Sequence, residues 1–159
     1  MGITVRKDDL SSREVRALID EHLSDMHRHS PPDHVHALAI ESLRVPSITF
    51  WTAWDSGELC GCGALKHLNA VAGEIKSMRT RSGFLRRGVG QALLQVITDT
   101  AVRRGYSGLF LETGSGPAFE SAHAFYRRNG FELSEPFADY RASDFSVFLV
   151  KRLPDPGAA

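Results

Sequence analysis

The sequence predicts one α/β domain built on a mixed, mostly antiparallel sheet of six to seven strands flanked by about four helices. Three observations carry that prediction. β-rich runs separated by turn residues fill the middle of the chain. At Gly88 the pattern changes from strand to helical period and then back, and this order of strand, glycine turn, helix and strand makes a parallel pair. No repeat or linker interrupts the 159 residues, enough to bury one core. The domain is placed at 1–153, with 154–159 a disordered tail.

Taken in order, Ile3 to Arg6 reads as a short strand. Ser11 and Glu14 have the spacing of a capping box and open a helix with an apolar stripe of Val15, Leu18, Ile19, Leu23 and Met26. Pro31 and Pro32 end that helix, and a second is expected from about His34 to Leu43. Ile48 to Trp54 and Glu58 to His67 form a hairpin about Asp55-Ser56-Gly57. Gly73 to Arg81 is a third strand, with Ile75, Ser77 and Arg79 on one face and Glu74, Lys76, Met78 and Thr80 on the other. After Gly88, Val89, Ala92, Leu93, Val96, Ile97 and Ala101 mark a buried helix face that Gly105 closes. Leu109 to Leu111 is a short buried strand, and Pro117 to Gly130 a helix carrying Phe119, Ala122, Phe125 and Tyr126. Phe131 to Phe137 and Phe145 to Arg152 complete the sheet as an antiparallel pair.

Nineteen basic residues balance nineteen acidic ones, so no overall field argues for nucleic acid or an anionic membrane. No secretion signal or membrane span is legible, which predicts a cytoplasmic protein. Cys60 and Cys62, two apart on a strand, should share a face and pack without a disulfide. No histidine spacing makes a metal site with them, so no metal is expected.

A glycine turn opening a helix suits an anionic phosphate, because small residues admit it to free N–H groups at the positive helix end. Leu93 stands where a dinucleotide fingerprint needs its third glycine, and Gly-Lys-Ser/Thr is absent. Arg87, Gly90 and Ala92 instead spell Arg-x-x-Gly-x-Ala, which resembles the signature of the GNAT family of acyl-CoA dependent N-acyltransferases. Glu74 to Arg79 before it, Arg104-Gly105-Tyr106 after it, and Ala122 to Phe131 resemble that family's successive motifs in order and spacing. Together they span about half the chain.

The resemblance implies a GNAT fold with a splayed parallel strand pair at the cofactor cleft. It implies acetyl-CoA as co-substrate, its pantetheine arm along Met78, Arg79 and Thr80. Its pyrophosphate would lie on the N–H groups from Arg87 through Gly88, Val89, Gly90 and Gln91 to Ala92, with Arg86 and Arg87 either touching it or staying solvated. Tyr126 takes the family's tyrosine position, as the acid for the departing thiolate or as a core anchor. Glu74 precedes Arg87 by thirteen residues, the offset of the general base in the histone acetyltransferase branch. Glu112 and ordered water compete with it for that role. The loop with His27, His29, His34 and His36 would border the acceptor, His29 and His34 being candidate contacts, and the segment from Phe137 to Arg141 is a second rim. The expected reaction is direct transfer of an acetyl group to a primary amine of a small molecule. Peptide or protein acceptors, or a non-catalytic acyl-CoA sensor, are the alternatives, and a homodimer is compatible with exposed edge strands.

Overall fold

The computed structural model describes residues 2–154, so the expected tail lies outside the described residues from position 155. Seven strands form one open sheet: β1 (Thr4–Lys7), β2 (Ile48–Asp55), β3 (Glu58–Asn69), β4 (Ala72–Thr80), β5 (Gly108–Thr113), β6 (Glu132–Leu133) and β7 (Val147–Arg152). Their spatial order is β1-β2-β3-β4-β5-β7-β6. Among the described residues only β4 and β5 run parallel. Helices α1 (Arg13–His29) and α2 (Ile40–Leu43) cover one face, closing a core of Val15, Leu18, Ile19, Leu43 and Phe50. Helices α3 (Val89–Arg103) and α4 (Glu120–Arg128) cover the other, around Leu93, Ile97, Tyr106, Leu109 and Tyr126.

Local chemistry explains where the elements depart from expectation. The cap of α1 is Ser12, whose Oγ accepts from the Val15 N–H at 3.3 Å, whereas Ser11 is engaged by Asp9. The helix expected from His34 to Leu43 reduces to a 3-10 turn at Pro32–His34 and the short α2. Between them the backbone is extended at Val35 and Ala39, which lays residues 34–37 across the edge of a cavity. Ser56 and Gly57, with φ 52° and 82°, make the two-residue turn between β2 and β3 that positive φ at both centres favours. β6 is two residues long because Phe137, just after Pro136, packs instead on Phe110, Phe148 and Tyr140.

Two bulges reverse the expected side-chain alternation. Ala53 opposes Gly61 and Trp54 opposes Leu59, so Cys60 is the extra residue; it joins the α3 core while Cys62 joins the α1 core. Both thiols are free and buried, on opposite faces rather than one. In β4 the register shifts between the Lys76 and Arg79 pairings, at Ser77 with φ 55°. Before the bulge Ile75 packs toward α3. After it Met78 does so, and Arg79 turns toward α1 to meet Glu21 at 3.0 Å and also Asp25. Gly63 opposes this bulge, and a Cβ there would lie 2.5 Å from the Met78 sulfur.

Candidate active site

Pairing between β4 and β5 stops at Glu74–Phe110, although the strands continue to Thr80 and Thr113. The strands therefore part, and the wedge opens toward the start of α3. A cleft of about 550 Å³ lies there, walled by Met78, Arg79 and Thr80 of β4, by Arg86 and Gly88 to Gln91, and by Ala122, Phe125 and Tyr126 of α4. Gly88 caps α3 with φ 83°, a left-handed conformation that costs a side-chain-bearing residue about 1–2 kcal/mol. The N–H groups of Val89, Gly90 and Gln91 have no acceptor within the helix, and the helix dipole adds positive potential at the same place. The Ala92 N–H donates to the Gly88 carbonyl at 3.0 Å, so it is not free for an anion as the sequence reading had it. The two arginines also separate: Arg86 lines the cleft, while Arg87 lies over the Phe84 ring, 5.3 Å from its centroid.

Tyr126 is buried against Phe125 and Phe131, and burial holds its hydroxyl above the ordinary tyrosine range, hence protonated at neutral pH. Together with Met78 it borders both this cleft and a second, inner cavity of about 150 Å³.

The inner cavity is walled by α1 through His22 and Met26, by residues 34–37, by β4 from Glu74 to Met78, and by Leu111 to Gly114 after the splay. Glu74 is buried at 2% exposure. Its Oε2 accepts from the Tyr140 hydroxyl at 2.6 Å and from Lys76 Nζ at 3.3 Å, and Lys76 also donates to Tyr140 at 2.8 Å. Oε1 is left for whatever enters. Burial raises the Glu112 carboxyl above the usual range. Burial, with Arg79 adding to it, pushes His22 down to about 4, and burial also lowers His36, so both rings are neutral at pH 7. The Arg79 hydrogen bond holds the Asp25 carboxyl below its usual range, pinning α1 over the β4 bulge. A further opening of about 440 Å³, lined by Lys66, Asp139, Tyr140 and Arg141, shares His34, His36 and Glu74 with the cavity. Among the described residues no cluster of His, Cys, Asp or Glu could hold a metal, and no helix is long and apolar enough to cross a membrane.

A splayed parallel pair whose cleft ends on free helix N–H groups is the arrangement the sequence motifs imply. Residues 15–131 match the model of the acetyltransferase (GNAT) family. The chain belongs to that family. It is 52% identical over 149 residues to the uncharacterized N-acetyltransferase YsnE of Bacillus subtilis, covering 94% of this chain and 99% of that one. It is 45% identical to the uncharacterized N-acetyltransferase YedL of Escherichia coli, covering 92% of each. Among solved structures, a Klebsiella pneumoniae protein assigned as an acyl-CoA N-acyltransferase superposes with a TM-score of 0.77 at 26% identity, over 95% of this chain and 97% of that one. The protein is therefore an N-acetyltransferase with the fold the resemblance implied.

Measured against that expectation, the acetyltransferase brings Tyr126, Glu74, Glu112 and His34 together around the inner cavity. His29 does not join them: it ends α1, exposed, on a shallow surface depression. Arg87 and Ala92 stand outside the cleft wall for the reasons given above. His123 brings Nε2 to 2.9 Å from the Gly114 carbonyl and 2.6 Å from Thr113 Oγ1, fastening the end of β5. His22, Ser77 and Lys76 were missed as cavity residues, and Tyr140 was read only as part of a rim. His22 had a signal, since it is a polar residue on the α1 stripe between Ile19 and Met26. The other three depend on a bulge and on a contact sixty-six residues away in the chain.

Proposed function

We propose that this acetyltransferase moves an acetyl group from acetyl-CoA to the primary amine of a small molecule, by direct attack in a ternary complex. The observation that carries the reading is the junction at Tyr126 and Met78, where an elongated cleft ending at helix N–H groups meets a small cavity bearing two carboxylates. The N–H groups of Val89, Gly90 and Gln91 receive the pyrophosphate, with Arg86 beside them. The β4 backbone from Met78 to Thr80, unpaired on the splayed side, receives the pantetheine arm and supplies an oxyanion donor. Glu74 Oε1 holds the incoming ammonium. Glu112, with its raised pKa, takes the proton, since a base works best when its pKa approaches the operating pH. Tyr126 faces the departing sulfur as a protonated hydroxyl, and its raised pKa makes it a hydrogen-bond donor to the thiolate before it is a source of a free proton.

A cavity of about 150 Å³ favours a small acceptor. A peptide N-terminus is the second reading, because the opening at Tyr140 and Arg141 would admit a longer chain. The test is thiol release from acetyl-CoA across small amines and short peptides. Tyr126→Phe is expected to lower kcat by about 10²-fold or more while coenzyme A affinity is kept. Acetyl-CoA binding with no release above background on any amine would sink the reading in favour of a sensor.

A further inference from the structure

Two residues that line the inner cavity each carry a buried side-chain polar atom with no hydrogen-bond partner: His22 on α1, through Nδ1, and Ser77 on β4, through Oγ. Both residues are 7% exposed. An unsatisfied buried polar group is costly, because the hydrogen bonds it gave up to water are not replaced. His22 occupies a stripe where an apolar side chain would avoid that cost, and Ser77 sits at φ 55°, a left-handed position uncommon for serine. Strain and unmet hydrogen bonds gathered at one cavity are the mark of a surface made to receive something. A serine hydroxyl turns about one torsion and can donate or accept, and a neutral imidazole offers one of each.

The charges of the cavity restrict what that something can be. Lys76 is taken by Glu74 and Tyr140, and His34 has Asp33 at 3.3 Å. His22 and His36 are neutral, while Glu74 and Glu112 line the same space. A carboxylate carried in by the acceptor would thus be buried beside like charge with no free cation to meet it. An ammonium is drawn to the two carboxylates, and an uncharged oxygen is suited to His22 and Ser77.

We propose that His22 and Ser77 bind an uncharged oxygen of the acceptor, which makes the acceptor a small primary amine bearing a hydroxyl or carboxamide group in place of a carboxylate. The proposal rests on the inner cavity being the acceptor site. Its volume of about 150 Å³ matches that of a cavity able to hold benzene, so the enclosed part of the acceptor has roughly six heavy atoms.

The experiment measures binding of ethanolamine, glycinamide, glycine and propylamine to the enzyme saturated with coenzyme A, by ligand-observed NMR, alongside acetylation of each. Ethanolamine and glycinamide are expected to bind about tenfold tighter than propylamine, the worth of one net hydrogen bond, with glycine weakest. In Ser77→Ala and in His22→Leu that advantage falls to about threefold or less while propylamine and coenzyme A still bind, a pattern that general damage to the fold would not produce. Ser77→Gly, which suits φ 55°, repeats the measurement free of backbone strain. Equal binding of ethanolamine and propylamine, tightest binding of glycine, or full selectivity in the variants would overturn the proposal. Selective binding of the polar amines without acetylation of any would leave this recognition standing and remove the proposed reaction instead.

Discussion

The two ends of the active cleft are made of different material. At the end proposed for the coenzyme, the groups offered to an anion are main-chain N–H groups of consecutive residues, Val89 to Gln91, set by one left-handed glycine. At the end proposed for the acceptor the groups are side chains drawn from α1, the segment 34–37, β4, β5 and the Tyr140 loop. A backbone site is compact in sequence and tolerant of side-chain change. A side-chain site is scattered, and its charged members lean on partners, Glu74 on Tyr140 and Lys76, and His34 on Asp33. Substitutions should therefore cost stability at the acceptor end and coenzyme affinity at the other.

The largest effect should follow Glu74→Leu. It strands the Lys76 ammonium, whose side chain is 8% exposed, at a cost of about 3–5 kcal/mol. In a domain of this size that lowers the Tm by roughly 6–20 °C in a thermal melt. The double variant Glu74→Leu/Lys76→Met should recover most of the loss, and a double variant as unstable as the single one would show that the pair is not what holds this wall.

His22 is next. Its folded pKa, about 4, lies below its unfolded value near 6.5, so the unfolded chain binds the extra proton first. The neutral buried ring contributes fully above pH 6.5, and that contribution is lost as the pH falls toward 4, by up to about 3 kcal/mol. Denaturant titrations between pH 7 and 4 should show the loss in the wild type and a flatter dependence in His22→Leu. Equal slopes would break the contrast between the two ends, since the acid sensitivity would then lie elsewhere.

At the coenzyme end, Gly88→Val should weaken coenzyme A binding about tenfold through the strain of a β-branched residue at φ 83°, with the KM for the amine unchanged. A shift in the amine KM instead would mean the two ends are mechanically coupled. The smallest effect is expected from the arginines: Arg86→Ala should weaken coenzyme A about threefold and reduce its salt dependence, as exposed charge contacts do. Arg87→Ala, removing a side chain that lies on Phe84, should change less than Arg86→Ala, and the reverse order would place Arg87 on the ligand.

How legible each part was follows from the same contrast. The strand, glycine turn and helix around Arg87 to Ala92 were readable because their signals, glycine, alternation and helical period, are properties of neighbours in the chain. Tyr126 and Glu74 were reached through motifs of that local kind. His29 was misplaced because a run of histidines says nothing about which of them the helix end exposes. Cys60 and Cys62 were assigned one face because alternation assumes an unbroken ladder, and one extra residue in β3 inverts it.

The sequence by itself determined the α/β class, the succession of strand, glycine turn and helix, and the family resemblance, all encoded in contiguous residues whose backbone preferences hold wherever the chain folds. The tertiary structure alone decided the inner cavity. The bulge at Ser77, the turn of Arg79 toward α1, and the meeting of Tyr140 with Glu74 arise from packing two helical layers on one sheet, and pairings sixty-six residues apart leave no local trace.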